Sequence, residues 1–202
     1  MRVFIVRHGE TEDAVAKIHQ RRNCALSVRG IRQAQQLAER LKYEQFEHMY
    51  VSPFPRTRQT AEPLVKQFAD IPFTIEENIR EINTGVLEGS PKGSFTKAAA
   101  AAGVDDLSFV PEGGESAHAV RERFLTFFTQ LPTLHAGDVL LVTHGFPIMA
   151  ALTHVHGLPF ERAFDFHPSN TSLSILEYLP DGTWHVHAVN DSSHLDAEDV
   201  TL

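Results

Sequence analysis

Val3-Phe4-Ile5-Val6-Arg7-His8-Gly9 and Leu140-Leu141-Val142-Thr143-His144-Gly145 share one pattern: an apolar run that stops at His-Gly. Neither run alternates apolar with polar residues, so each predicts a strand covered on both faces, as in a parallel sheet with helices above and below. The intervening sequence supplies those helices. After Ser27, a suitable N-cap, Ile31, Ala34, Ala38 and Leu41 recur at helical spacing and predict a helix over about 28–42. His48–Ser52 reads as a strand broken at Pro53, followed by a helix from about Thr57 to Ala69 that Pro63 is placed to kink, and then a short strand at Ile71–Ile75. Ser116 caps a stripe of Ala117, Val120, Phe124, Phe127, Phe128 and Leu131, with Pro132 marking its end. Pro147 suits the first turn of a helix reaching about Val155. Ser172–Leu179 and Thr183–Val189, joined by Pro180-Asp181-Gly182, read as a closing hairpin.

Thr84–Gly114 carries six glycines, two prolines and the run Ala98–Ala102, and predicts an irregular excursion with a short helix through the alanines. Strands alternating with helices then give a three-layer α/β/α sandwich. Its sheet is expected to be mostly parallel with an antiparallel edge, in one domain over 1–202, with the excursion at about 84–114 over one edge of the sheet.

Composition narrows the function. Of 18 Lys+Arg and 26 Asp+Glu, the residues from Leu125 onward hold one basic residue, Arg162, and nine acidic ones; the first 124 therefore hold 17 of each. An acidic second part argues against nucleic acid as partner, while the balanced first part still allows a local positive pocket. The single cysteine, Cys24, excludes an internal disulfide and any multi-cysteine metal site. Only Val3–Val6 is apolar before Arg7, too short for a signal-peptide core, and no stretch is long enough to span a membrane. The expectation is a cytoplasmic protein, with a homodimer left open.

In open parallel sheets ligands bind at the carboxyl ends of the strands, so both His-Gly pairs are expected at one edge. Were the two strands neighbours, a spacing of about 4.8 Å would bring both imidazoles within reach of one small group. Gly9 and Gly145, lacking Cβ, would let backbone N–H groups approach it. Ser52-Pro53-Phe54-Pro55-Arg56 adds a third strand end, leading into a helix whose N-terminus and guanidinium suit an anion. Arg7, Arg56, His8 and His144 together suggest a pocket for a phosphoryl group. Arg58, two residues on, faces another side of its helix and is assigned to solvent or an acidic neighbour. The His154-x-His156 and His185-x-His187 spacings lack carboxylate or cysteine partners, and no metal is expected there. Asn170-Thr171-Ser172 fits a glycosylation sequon, which has no meaning without a secretory route.

Five ordered segments carry a family resemblance: Arg7-His8-Gly9-Glu10-Thr11, Ser52-Pro53-x-x-Arg56-x-x-Gln59-Thr60-Ala61, Glu81-Ile82-x-x-Gly85-x-x-Glu88-Gly89, Pro111-x-Gly113-Gly114-Glu115-Ser116 and Thr143-His144-Gly145. Together they resemble the histidine phosphatase superfamily, also called phosphoglycerate-mutase-like. The resemblance implies that His8 is the nucleophile, that Arg7, Arg56 and His144 hold the phosphoryl oxygens, and that Glu81 protonates the leaving alcohol. It implies no metal and no cofactor, because permanent arginine charges can stabilise the equatorial oxygens of a loose transition state. The neutral imidazole is the nucleophilic form, so its other nitrogen is expected to donate to a backbone carbonyl.

Ala14 stands where many members have asparagine, and Gln20-Arg21 replaces a usual Gln-Gly. Only 33 residues separate Glu81 from Glu115, whereas the mutase branch carries a longer insertion. The expectation is a phosphomonoester hydrolase acting through phosphohistidine on a small organic phosphate. Mutase-type phosphoryl transfer and a non-catalytic phosphate-binding module are the alternatives.

Overall fold

The two His-Gly strands are neighbours. β1 (Arg2–Arg7) runs parallel to β4 (Val139–Thr143), with Arg7 opposite Thr143, and β2 (His48–Val51) pairs parallel with the other side of β4. In the computed structural model, which describes all 202 residues, β3 (Phe73–Ile75) flanks β2 on one side. On the other side β5 (Leu173–Tyr178) pairs antiparallel with β1 and β6 (Trp184–Asp191) antiparallel with β5, giving the order β3-β2-β4-β1-β5-β6. The central strands carry apolar residues on both faces because both are covered.

Alternate residues of these strands divide between two cores. Val3, Ile5, Tyr50, Val139 and Leu141 pack with α5 (Ala117–Phe128) and α7 (Gly145–Val155) on one face. Phe4, Val6, Met49, Val51, Leu140 and Val142 pack with α2 (Val28–Leu41) and α3 (Pro55–Gln67) on the other. Short helices α1 (Glu12–Val15) and α6 (Leu131–Leu134) and α4 (Ser94–Ala101), the predicted alanine helix, complete the chain. No helix is long and apolar enough to cross a membrane.

Several boundaries differ from the sequence reading. α3 begins at Pro55, two residues earlier than expected, because its cap, Phe54, supplies no side-chain hydrogen bond by which a start is recognised, whereas α7 (Gly145–Val155) has Pro147 in its first turn as expected. α3 continues through Pro63 as one element. α5 ends at Phe128, and Pro132 stands in the first turn of α6. The buried face of α2 comprises Gly30, Gln33, Ala34, Leu37, Ala38 and Leu41, while Ile31 is 47% exposed. Gln33 explains that rotation: its Oε1 accepts the Glu10 N–H at 2.7 Å and its Nε2 donates to the Asp199 carbonyl at 2.6 Å.

Gly30 is required by a close approach. A Cβ there would lie 2.0 Å from the Glu10 carbonyl oxygen, and one on Gly9 would lie 2.7 Å from the Gly30 carbonyl oxygen. Replacing Gly30 by alanine gains about 1 kcal/mol of helix propensity but forces backbone against backbone, which costs more. Gly30→Ala is expected to lose a net ~2 kcal/mol or more, read as a lower urea midpoint with unchanged slope. An unchanged midpoint would show that the loop after His8 yields freely.

Candidate active site

The carboxyl ends of β1, β4 and β2 bring His8, His144 and Ser52 side by side. The His8 amide donates to the Thr143 carbonyl and the Ser52 amide to the Val142 carbonyl, both at 3.0 Å, so ladder bonds fix the three strand tips. The two imidazoles lie with ring centroids 5.1 Å apart at an interplanar angle of 61°. A cavity of about 520 Å³ opens at this edge, lined among others by Arg7, His8, Glu81, Lys92 and Phe146. Arg56 and His144, next to His8, are fully buried.

His8 holds its Nδ1 2.8 Å from the Gly9 carbonyl oxygen. A carbonyl only accepts, so Nδ1 carries the proton and Nε2 keeps its lone pair. The tautomer is the one a nucleophilic imidazole needs. Burial first, and the Arg56 and Arg7 charges second, hold His8 well below the ordinary imidazole range; burial and Arg56 do the same to His144. The ring of His144 is anchored by Ser52 Oγ at 2.7 Å from its Nε2, while its buried Nδ1 has no protein partner.

Both arginines present unused donors. Arg7 Nη1 donates to the Pro168 carbonyl and Arg56 Nη1 to the Arg21 carbonyl at 3.1 Å, yet the Nε of each is buried without a partner. Burial lowers Arg7 to about 10, with Glu81 opposing that shift, so it stays charged at neutral pH. Desolvation likewise lowers Arg56, offset by Cys24 and Glu81. The thiol sulfur of Cys24 lies 3.7 Å from Arg56 Nη1, and burial pushes that thiol up, away from reactivity.

Glu81 comes from an irregular segment, and tertiary hydrogen bonds place it. Thr143 Oγ1 donates to the Ile79 carbonyl at 2.5 Å, and Arg123 on α5 donates to the Asn78 and Glu81 carbonyls at 2.8 and 3.2 Å. Arg123 is itself held by Glu115 at 3.0 Å. The Glu81 carboxylate accepts the Gly145 N–H at 3.0 Å, the Phe146 N–H at 3.3 Å and the Ile82 N–H at 3.0 Å. It thus caps the N-terminus of α7.

The two glycines assigned to substrate are otherwise engaged. Gly9 N–H donates to Thr60 Oγ1 at 3.0 Å, and Gly145 N–H goes to Glu81. Arg58 is exposed, as expected of the face opposite Arg56. The short helix α1, which holds Ala14, is pinned by Asp13, 2% exposed, which accepts the Arg21 N–H at 2.8 Å and pairs with the Arg21 guanidinium. That pairing delivers the Arg21 carbonyl to Arg56. Ser52, Thr60, Gln33 and Asn170 are supporting residues that sequence reasoning left without a role. Asn170 is fully buried and donates from Nδ2 to the His8 carbonyl at 3.0 Å, so the apparent sequon is a structural support.

Burial of neutral imidazoles sets a pH dependence of stability. His8 and His144 protonate in the unfolded chain near pH 6.5 but resist protonation when folded, so the unfolded state binds more protons below that value. Their stabilising contribution is complete above about pH 6.5 and is lost progressively as pH falls below it. Urea midpoints from pH 7.5 to 5 are expected to decline with a limiting slope of about two protons from this pair. His8→Ala should remove about one of them, and an unaltered slope would contradict the assignment.

Comparison with known proteins identifies the family and the fold. The family model of the histidine phosphatase superfamily (branch 1) matches residues 3–192. A probable phosphoglycerate mutase, GpmB, of Yersinia pestis (strain Pestoides F) is 31% identical, covering 97% of this chain and 95% of that protein. The structure of Bacillus stearothermophilus YhfR superposes with a TM-score of 0.84 at 27% identity, covering 96% of this chain and 98% of its own. The alpha-ribazole phosphatase from Shigella flexneri shares the fold, with a TM-score of 0.84 at 22% identity and coverage of 95% and 96%. With the match spanning nearly the whole sequence, the chain belongs to the histidine phosphatase superfamily.

Proposed function

We propose that the protein is a metal-independent phosphomonoester hydrolase that forms a phosphohistidine at His8 and acts on a small organic phosphate. The observation that carries the reading is the tautomer: Nδ1 of His8 is spent on the Gly9 carbonyl, leaving Nε2 as the free lone pair among buried donors. Three of those donors, Arg7 Nε, Arg56 Nε and His144 Nδ1, have no protein partner, which suits a tetrahedral anion. For His144 to serve, Nδ1 bears the proton and Ser52 donates its hydroxyl hydrogen to Nε2.

In the first half-reaction the bond from phosphorus to the ester oxygen breaks as the bond to His8 Nε2 forms, and Glu81 gives its proton to the departing alkoxide. In the second, water attacks phosphorus, Glu81 takes a proton from that water, and the P–N bond opens to release phosphate. The arginine charges do the work often given to a metal ion. Hydrolysis of an aryl phosphate should therefore survive a chelator, and tight phosphate binding with no turnover would instead support a binding module.

The mutase-type reading is favoured by the Yersinia relative, a probable phosphoglycerate mutase. It requires the phosphoryl group to return to the substrate rather than pass to water. Incubation with 3-phosphoglycerate decides between them: release of inorganic phosphate without isomerisation supports the hydrolase, and isomerisation with little phosphate released supports the mutase.

A further inference from the structure

Next to the phosphoryl centre lies a second chamber of about 170 Å³. The two share His19, Ile82, Thr84 and Phe146 as lining residues, so they adjoin. Beyond the shared wall the chamber is flanked by Phe95 from α4 and by the half-exposed Phe164, whose ring centroid lies 6.1 Å from that of Phe146, and it opens to solvent. Phe95 is 9% exposed and held edge-on by Phe109 at 5.2 Å. The polar groups at the far side are closed on each other, Thr96 Oγ1 donating to Asp106 at 2.6 Å. One polar atom at the junction is unused: Thr84 is 9% exposed and its hydroxyl has no protein partner.

We propose that this annex is the seat for the alcohol half of the substrate, and that it selects phosphomonoesters whose alcohol carries an apolar, ring-sized group. The proposal rests on the hydrolase reading for the chemistry, but the seat itself is a binding property. A cavity of about 150 Å³ lined by apolar side chains accepts one benzene ring, so the annex has room for one six-membered ring. Aromatic walls favour an edge-to-face or offset partner. The buried Thr84 hydroxyl, costly to leave unpaired, calls for a hydrogen-bonding atom between the ring and the phosphoryl group.

Two phosphonates test the seat without turnover: 2-phenylethylphosphonate and propylphosphonate, isosteres of benzyl and ethyl phosphate that differ by phenyl against methyl. Calorimetry on the native protein is expected to show about 30-fold tighter binding of the phenyl compound, from the apolar area it buries. Phe164→Ala is expected to reduce that ratio below about fivefold, and Thr96→Trp, which fills the annex from its rim, replaces it should that variant not fold. Equal affinities, binding of neither compound, or a full preference surviving both substitutions would overturn the annex. Hydrolysis of benzyl phosphate is followed in parallel: turnover with equal phosphonate affinities removes the annex alone. A phosphonate preference without turnover sustains the annex and removes the hydrolase.

Discussion

His8→Ala is expected to lower phosphomonoester hydrolysis by more than about 10⁴-fold, because no other side chain at the strand ends offers a nucleophilic lone pair. His144 cannot substitute: its Nε2 is committed to Ser52, and its Nδ1 bears the proton in the tautomer that binds the anion. Phosphate binding should survive, since Arg7, Arg56 and His144 remain, and removal of a neutral ring withdraws no charge from the site. Affinity for inorganic phosphate within about tenfold of the native value, together with lost turnover, separates loss of the nucleophile from loss of the fold. A rapid acid-free quench of the native protein with labelled substrate should trap acid-labile phosphate on the chain, and the variant should trap none. Appreciable turnover by the variant would end the phosphohistidine assignment.

How much of this site the sequence reveals follows from what holds each residue in place. His8 and His144 are legible because a strand buried on both faces is a local signal, and a chain emerging from it has one direction to go. Arg56 is legible as a residue just past a strand end, although its helix begins earlier than its periodicity suggests, for want of a recognisable cap. Glu81 is different. No periodic pattern surrounds it, and its position depends on Thr143, Arg123 and Glu115, partners 34 or more residues away. Only a family resemblance could single it out.

Supporting residues are hidden for a related reason. Gln33 sits on the apolar stripe of α2, where its buried amide is indistinguishable in sequence from a misplaced surface residue. Its meaning lies in the Glu10 N–H and the carbonyl of Asp199, which reach it only in the fold. Asn170 likewise depends on the backbone turning at Thr171, whose φ of 52° lies in the left-handed region. The chain departs from local preference where it must hold the His8 carbonyl, in keeping with strained backbone gathering at functional sites.

Glu81→Gln separates acid catalysis from mere placement. The carboxylate accepts three backbone N–H groups, from Ile82, Gly145 and Phe146. Glutamine keeps one accepting oxygen but turns an NH₂ toward a donor, so one of those contacts is lost. If Glu81 only anchored the start of α7, that loss would shift His144 and reduce turnover of every substrate alike. If Glu81 donates the proton, the loss depends on the leaving group, because an aryloxide departs with little protonation and an alkoxide does not. The expected result is a fall of about 10³-fold for ethyl or benzyl phosphate, against less than about tenfold for p-nitrophenyl phosphate. The intermediate then accumulates with the aryl substrate, since attack by water also needs the carboxylate, and a burst of p-nitrophenol should precede a slow steady state. Equal losses for alkyl and aryl esters, without a burst, would reassign the proton donor and leave Glu81 as the cap of α7.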